Sequence, residues 1–229
     1  MRHKKAGNII IEPFNTANLS STSYDVRLGK HFFRQREVKK IQTINPFHEK
    51  SMRKMYDKHE IAIPIKKIKS ELNPFHNLKD TDLVILISPN ETILAHTVEF
   101  IGGKNGIPEK NLGAVTTEMR ARSSVGRIGI AVCKCAGWGD IGYVNRWTME
   151  ITNFSNNTIP LPVGFRIGQI IFHDTEPVEE KDHYYRKVGG KYQSAGEINQ
   201  LKKKWKPEDM LPKLYKDPDL GHFSKFNKS

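Results

Sequence analysis

The sequence predicts a mainly β protein, a sandwich or barrel with a few short helices. The chain of 229 residues is long enough for one domain with a full hydrophobic core and short for two. Apolar, β-branched segments recur along it, and turn residues such as Ser-Pro-Asn-Glu at 88–91 separate them. Short strands at this spacing favour a sandwich or barrel over a βαβ sheet. The expected strands are residues 83–88, 92–100, 128–136, 146–154 and 165–172.

Helices are predicted over residues 47–58 and 65–72, and again in the Lys-rich stretch after Gly196. From about residue 199 onward the chain is rich in Lys, Pro and Asp. We therefore expect one domain over residues 1–198, followed by a basic C-terminal extension over 199–229 that is only partly ordered.

The strand predicted at residues 146–154 carries two different faces. Period-two alternation places Trp147, Met149 and Ile151 on one face and Thr148, Glu150 and Thr152 on the other. For an isolated strand, the second face is most simply a solvent-exposed one. The motifs that precede this strand suggest instead that its polar face lines a functional site.

The chain is strongly basic, and its charge is unevenly distributed. It has 37 Lys and Arg against 25 Asp and Glu, and residues 30–69 and 199–229 carry much of the excess. Such patches indicate a polyanionic partner, either nucleic acid or a phosphorylated small molecule. A solubilising surface is the other reading. No zinc-finger spacing, RNP-like run or recognition helix accompanies the charge, so we do not expect a nucleic-acid partner.

Two further features bear on the compartment. The longest apolar run, residues 83–87, is far below the roughly 20 residues that a membrane-spanning helix needs, and no signal-peptide core follows the basic N-terminus. The two cysteines, Cys133 and Cys135, cannot form a disulfide framework, and they fit a reducing compartment. We expect a cytoplasmic protein without a membrane partner.

Three segments carry chemistry. Residues 122–127 (RSSVGR) offer two guanidinium groups and two hydroxyls, which suit phosphate oxygens. Residues 136–143 (AGWGDIGY) form a glycine-rich turn that presents the Asp140 carboxylate and the Tyr143 ring. Glu150 follows Asp140 by ten residues, on the next predicted strand.

Together these motifs resemble the dCTP deaminase branch of the dUTPase superfamily, which includes bifunctional enzymes that deaminate dCTP and then hydrolyse dUTP. The resemblance runs from about residue 7 to residue 196, and the order and separation of its motifs make it specific. The matching segments are residues 23–29 (SYDVRLG), 122–127, 136–140 (AGWGD), 147–153 (WTMEITN), 166–169 (RIGQ) and 190–193 (GKYQ).

The resemblance implies a dUTPase-like distorted β-barrel of the β-clip type, assembled as a homotrimer with active sites at the subunit interfaces. Its substrates would be dCTP or dUTP, with Mg²⁺ entering on the triphosphate. We expect no zinc, because the H-x-E…P-C-x-x-C signature of zinc deaminases is absent from the sequence. A carboxylate must then take the proton of the attacking water itself.

The resemblance also implies residue roles. Glu150 matches the general base that activates a water to attack C4 of cytosine. Arg127 and Ser123 match residues that assist at that centre from a neighbouring subunit. Asp140 matches the carboxylate that meets the deoxyribose 3′-hydroxyl and, in bifunctional relatives, orients the water for phosphate attack. The implied substrate-binding residues are Arg122, Ser124, Ala136, Tyr143, Thr148, Tyr184, Lys191 and Gln193.

The chain departs from the family pattern at two places. Cys133 and Cys135 stand where the family strand "H-x-T-A" has His and Thr, and Ala195 stands where a second Gln is common. The cysteine pair is either a redox or metal feature or, on the simpler reading, two small strand residues.

The sequence thus predicts hydrolytic deamination of dCTP to dUTP, with hydrolysis onward to dUMP and pyrophosphate as a second activity that both carboxylates permit. A dUTPase without deaminase activity is the nearest alternative. Glu150 favours the deaminase, because dUTPases generally lack a carboxylate there, whereas an aromatic residue at Tyr143 is typical of dUTPases. A regulatory nucleotide-binding or nucleic-acid-interacting protein with a silent pocket is a third reading.

Overall fold

The computed structural model describes residues 1–35, 43–56, 58–68, 75–184, 186 and 190–223. Its strands are β1 (Ile9–Glu12), β2 (Ser23–Arg34), β3 (His59–Ile61), β4 (Ile63–Pro64), β5 (Leu83–Ile87), β6 (Thr92–Gly103), β7 (Ala114–Ala121), β8 (Ile130–Ala131), β9 (Trp138–Gly139), β10 (Val144–Asn153), β11 (Ile159–Pro162) and β12 (Arg166–Thr175). Its α-helices are α1 (Arg2–Ala6), α2 (Glu49–Met55), α3 (Ser123–Arg127) and α4 (Ile198–Lys204).

The strands form two antiparallel sheets in the described part of the chain. The larger has the order β8-β10-β6-β2-β12-β7-β9, with β1 added to β6 and β3 added to β2. The smaller has the order β11-β5-β4. The larger sheet curls into a half-barrel, which confirms the predicted mainly β, barrel-like fold class.

The main core cluster draws on the strands of both sheets and follows strand periodicity. On β10, Trp147, Met149 and Ile151 are at most 3% exposed, as the period-two pattern predicts. They pack with buried side chains of β2 and β12 in one large cluster. The register of β10 is therefore fixed, because a one-residue slip would turn its apolar face outward. The orientation of its polar face is fixed with it.

Four of the five predicted strands are confirmed to within a few residues at their ends, as β5, β6, β10 and β12. The prediction for residues 128–136 is wrong beyond the two-residue strand β8. Lys134 adopts a left-handed conformation with φ 44°, and the Ala136 amide donates to the Cys133 carbonyl at 2.9 Å. This turn ends the strand and leads into the glycine-rich segment.

The helix predictions have mixed outcomes. Residues 47–58 contain α2, and the Lys-rich stretch after Gly196 contains α4. The helix predicted at 65–72 is wrong for residues 65–68, where only a 3₁₀ turn at Ile65–Lys67 forms, and residues 69–74 lie outside the described chain. None of the helices in the described ranges is long and apolar enough to cross a lipid bilayer.

Residues 198–216, called here the C-terminal segment, lie against the larger sheet. Leu201 is buried against Phe100 and Val144, and Met210 is buried against Tyr56. Between these two contacts, the Trp205 ring lies 4.7 Å from the His96 ring and 4.6 Å from the Arg146 guanidinium carbon. The segment therefore shares the hydrophobic core of the strands, while the predicted domain boundary at residue 198 stays a prediction.

A buried ion pair joins β2 to β6. The Glu99 side chain is fully buried, and it accepts the Arg27 main-chain N–H at 2.9 Å and the Arg27 Nε at 2.6 Å. The side chain of Arg27 is 25% exposed. Because a buried carboxylate without a partner is costly, the pair fixes the register of the two longest strands.

Removing one partner of this pair should destabilise the fold. We expect Arg27→Ala to lower the free energy of unfolding by about 3–5 kcal/mol, since Glu99 would remain buried without its cationic partner and would keep only the main-chain N–H of residue 27. Arg53→Ala is the control, because Arg53 forms an exposed pair with Glu49 at 2.9 Å that is worth about 0.3–0.5 kcal/mol. Urea unfolding would measure both, and equal losses for the two variants would contradict the assignment.

Candidate active site

A concave site with convergent polar groups, called here the main cavity, has a volume of about 340 Å³. Two carboxylates, Asp140 and Glu150, face it. Its other described lining residues are mostly apolar or aromatic: Tyr56, Leu94, Ala136, Trp138, Tyr143, Trp147, Thr148, Tyr184, Tyr192, Met210 and Pro212. A mostly apolar cavity with a few convergent polar groups is the usual form of a small-molecule site.

Glu150 is the polar side chain most affected by this environment. It lies on β10, opposite Leu94 of β6, and is half-buried. Its Oε2 atom is buried and accepts no hydrogen bond from the described residues. Burial raises the pKa of Glu150 to about 7, against smaller lowering effects of its own main chain and of Lys134. The carboxyl group can therefore exchange a proton near neutral pH.

The glycine-rich turn needs its glycines for close packing. A Cβ atom at Gly139 would lie 2.6 Å from the Trp147 ring and 2.4 Å from Thr117 Oγ1. Gly142 has φ 88°, a left-handed conformation that L side chains rarely adopt. The chain can therefore fold back tightly over Trp147, and this turn carries the exposed Asp140 side chain to the main cavity.

Aromatic rings form one wall of the main cavity. The Tyr143 ring contacts Trp147 and Tyr184 edge-to-face, with centroids 5.3 Å and 4.9 Å away. Burial raises the pKa of the Tyr143 hydroxyl. The Tyr184 hydroxyl in turn accepts the Tyr192 main-chain N–H at 3.3 Å. These contacts hold the wall together and limit water around Glu150.

The structure brings six of the predicted site residues together. They come from three separated segments and line the main cavity: Ala136, Asp140, Tyr143, Thr148, Glu150 and Tyr184.

The arginine–serine turn lies elsewhere. Ser123, Ser124 and Arg127 are exposed on α3, and none of them is among the described residues that line the main cavity. Arg122 forms an ion pair with Asp25, with 3.2 Å between Nε and the carboxylate oxygen. It is thus held by a carboxylate of its own chain, and the predicted roles of these residues stay predictions.

Two further predicted substrate-binding residues, Lys191 and Gln193, also lie outside the main cavity's described lining. Lys191 pairs with Asp217 at 2.7 Å. Gln193 is buried, where its Oε1 accepts the Val144 main-chain N–H at 2.7 Å and its Nε2 donates to the Gly142 carbonyl at 3.0 Å. Gln193 therefore fixes its segment to the glycine-rich turn, while nucleotide contact by either residue stays a prediction.

Several residues that line the main cavity were not predicted from the sequence. Trp138 and Trp147 lie within recognised motifs but received no role. Tyr56, after α2, and Met210, in the C-terminal segment, reach the cavity from distant parts of the chain. No local pattern indicates such contacts, because they depend on how the C-terminal segment packs on the sheet.

The two cysteines differ in environment. Cys133 is buried, and its Sγ donates to the Met119 carbonyl at 3.4 Å. Burial raises the pKa of the Cys133 thiol, and the nearby Glu150 raises it further. Cys135 is exposed. Cys133 thus serves as a small core residue, and the described residues include no group of three His, Cys, Asp or Glu side chains that would hold a metal ion.

Comparison with known proteins shows the family of the chain. A family model described as "dCTP deaminase-like" matches residues 1–175. The chain is 31% identical over 188 residues to a "dCTP deaminase, dUMP-forming" of Nanoarchaeum equitans, covering 80% of this chain and 84% of that protein. It is 27% identical over 187 residues to the protein of the same name from Methanosphaerula palustris, covering 82% and 83%. The chain belongs to the dCTP deaminase-like family.

A solved structure is also similar. It is the crystal structure of 2′-deoxycytidine 5′-triphosphate deaminase from Agrobacterium tumefaciens, with 16% sequence identity and a TM-score of 0.48. The match covers 76% of this chain and 46% of that protein, so the chain spans less than half the length of that protein.

Burial of Glu150 should reduce stability at neutral pH. Between pH 4.5 and 7 the folded protein keeps a proton on Glu150 that the unfolded chain has released, so stability falls as pH rises through this range. Glu150→Gln lacks this ionisation, and we expect it to raise the free energy of unfolding by about 1–3 kcal/mol at pH 8 but not at pH 4.

Urea unfolding of wild type and variant at the two pH values would measure this difference. Asp140→Asn removes an exposed carboxylate from the same cavity, and we expect a change within about 0.5 kcal/mol. The same effect of Glu150→Gln at pH 4 and pH 8 would show that the carboxyl group is not desolvated.

Proposed function

We propose that the protein deaminates dCTP to dUTP and then hydrolyses dUTP to dUMP and pyrophosphate at the same site. The observation that carries this proposal is the half-buried Glu150 carboxyl, with a pKa of about 7, in one cavity with the exposed Asp140 carboxylate. The relatives named "dCTP deaminase, dUMP-forming" support dUMP as the final product.

In the deamination step, Glu150 acts as general base. Its carboxylate takes a proton from water while the water oxygen bonds to C4 of the cytosine ring. The proton is then returned so that the C4–N bond breaks and ammonia leaves, which gives dUTP from dCTP and one water. A pKa near the working pH suits both transfers, because the group is basic enough to take the proton and acidic enough to return it.

In the hydrolysis step, Asp140 orients a second water towards the α-phosphorus. The water oxygen bonds to phosphorus, the bond to the bridging oxygen breaks, and dUMP and pyrophosphate leave. Mg²⁺ prefers oxygen ligands, which fits the exposed Asp140 carboxylate together with triphosphate oxygens. When bound, the ion would neutralise phosphate charge.

We also propose that the active unit is a homotrimer with sites at subunit interfaces. Ser123 and Arg127 are exposed on α3, outside the described lining of the main cavity of their own chain. Their predicted contact with the reacting base therefore needs a second protomer, whose main cavity they would complete. The two unpaired cysteines fit a reducing compartment, so we place the enzyme in the cytoplasm.

A dUTPase without deaminase activity is the second candidate. Tyr143 favours it, because its ring lies in the cavity beside Asp140, where an aromatic residue is expected for dUTPases. Such an enzyme has no use for the desolvated Glu150, whose burial costs free energy. The deaminase therefore accounts for more of the site.

The two carboxylates should separate the two reactions. With dCTP as substrate, we expect Glu150→Gln to lower the rate of ammonia release by about 10²–10⁴-fold, since the general base is lost. With dUTP as substrate, the same variant should still release pyrophosphate. Asp140→Asn is the reciprocal control, which should keep ammonia release from dCTP and lose pyrophosphate release.

Purified wild type and both variants would be assayed for ammonia and pyrophosphate with each nucleotide. Wild-type protein that releases pyrophosphate from dUTP but no ammonia from dCTP would support the dUTPase alternative. Ammonia release by Glu150→Gln within threefold of wild type would remove Glu150 from the reaction.

Subunit mixing should test the shared site. Glu150→Gln and Arg127→Ala should each be inactive in deamination, but a trimer containing both can place an intact Glu150 beside an intact Arg127 of its neighbour. When equal amounts of the two variants assemble at random, each of the two residues is intact in half of the protomers. A site with an intact Glu150 from one protomer and an intact Arg127 from its neighbour then forms in about a quarter of cases, so we expect about a quarter of the wild-type rate.

The control mixes Glu150→Gln with a protein that carries both substitutions, where no site can be complete. Recovery in the first mixture alone supports a site built from two protomers. If neither mixture recovers activity after co-assembly is shown by two affinity tags, both residues act within one chain and the interface proposal is wrong.

A further inference from the structure

A second cavity, of about 240 Å³, adjoins the main cavity. Tyr192 lines both cavities, so its side chain lies between them. Three lysines line the second cavity, namely Lys191, Lys213 and Lys216, together with the carboxylate of Asp209. All three lysines and Asp209 lie beyond residues 1–175, the range that the family model matches.

Two of the lysines are unusually buried. The side chains of Lys191 and Lys213 are only 16% and 14% exposed, although lysine is rarely buried in proteins. Burial lowers the pKa of Lys213, and the neighbouring Lys216 lowers it further, against the opposing effect of Asp209. The side chains of Lys191 and Lys213 are thus largely shielded from water, whereas Lys216 is exposed.

Acidic partners balance this charge only in part. Lys191 pairs closely with Asp217, at 2.7 Å. The Lys213 ammonium is 3.8 Å from the nearest Asp209 oxygen, too far for a hydrogen bond, and it donates instead to the Lys191 carbonyl at 3.2 Å. Three lysines and one carboxylate, Asp209, therefore line this concave surface, while Asp217, outside the described lining, pairs with Lys191. The excess of positive charge attracts an anion.

Tyr192 connects this basic cavity to the main one. Its hydroxyl accepts the Lys213 main-chain N–H at 3.1 Å, and the Lys213 ammonium lies 5.2 Å from the centre of its ring. The side chain that lines the main cavity therefore also positions Lys213. An anion bound by the three lysines would lie next to a molecule in the main cavity.

We propose that the second cavity binds an oligophosphate, with Lys213 and Lys216 of the C-terminal segment as its anion-binding groups beside Lys191. Several linked phosphates match several ammonium groups better than one phosphate does. The ligand is either a free oligophosphate or the triphosphate of a nucleotide held in the main cavity, and the second source rests on the proposed function.

Binding of inorganic tripolyphosphate, measured by calorimetry on the full-length protein, tests this site without any assay of activity. We expect Lys213→Gln and Lys216→Gln each to weaken binding by about tenfold or more, because each removes a charge-assisted hydrogen bond. Lys216 is exposed, so its replacement keeps the proposal testable if the Lys213 variant does not fold. The control is Lys203→Gln, an exposed lysine of α4 outside the cavity's described lining, which should stay within twofold.

Steady-state kinetics with dCTP distinguish the two sources. If the substrate's triphosphate occupies the cavity, tripolyphosphate competes with dCTP, and the Lys213 and Lys216 variants raise KM more than they lower kcat. If the ligand is a free oligophosphate, inhibition or activation is not competitive. Either result supports the site.

The proposal is overturned if wild-type protein does not bind tripolyphosphate, or if the Lys213 and Lys216 variants bind it as well as Lys203→Gln does. A protein that binds tripolyphosphate at these lysines but releases no ammonia from dCTP would keep the anion site and refute the proposed deaminase.

Discussion

The side chains around Glu150 desolvate its carboxyl group, and the architecture of the site follows from that constraint. Aromatic rings of the glycine-rich turn and of β10 cover one side, and Tyr56 and Met210 close another. Only this enclosure brings a glutamate pKa to about 7. The same enclosure makes the folded state less stable at neutral pH, a cost that proteins commonly accept at functional sites.

Two other carboxylates buried in the larger sheet, Glu99 and Asp25, are paired with arginines. Glu99 accepts two hydrogen bonds from Arg27, and Asp25 forms ion pairs with both Arg122 and Arg166. Glu150 has an oxygen with no such partner among the described residues. A buried group that stays unsatisfied while its neighbours are paired is a frequent mark of a reactive centre.

Local pattern predicted β10 well, because alternation of apolar and polar residues at 147–152 is a property of the strand alone. It did not predict β2, where charged residues such as Asp25 and Arg27 lie between buried ones and find their partners on distant strands. The strand predicted at 128–136 failed beyond β8, since the left-handed turn at Lys134 leaves little trace in the sequence.

Six residues that the motif resemblance named line the main cavity, and their roles stay predictions, whereas Tyr56, Met210 and the second cavity depend on tertiary packing. The most direct test of the whole account is a ¹³C NMR titration of the Glu150 carboxyl carbon in the substrate-free protein. We expect the titration of Glu150 to have its midpoint near pH 7. A midpoint near 4.5, the ordinary value for glutamate, would contradict it and would leave this side chain without a special role.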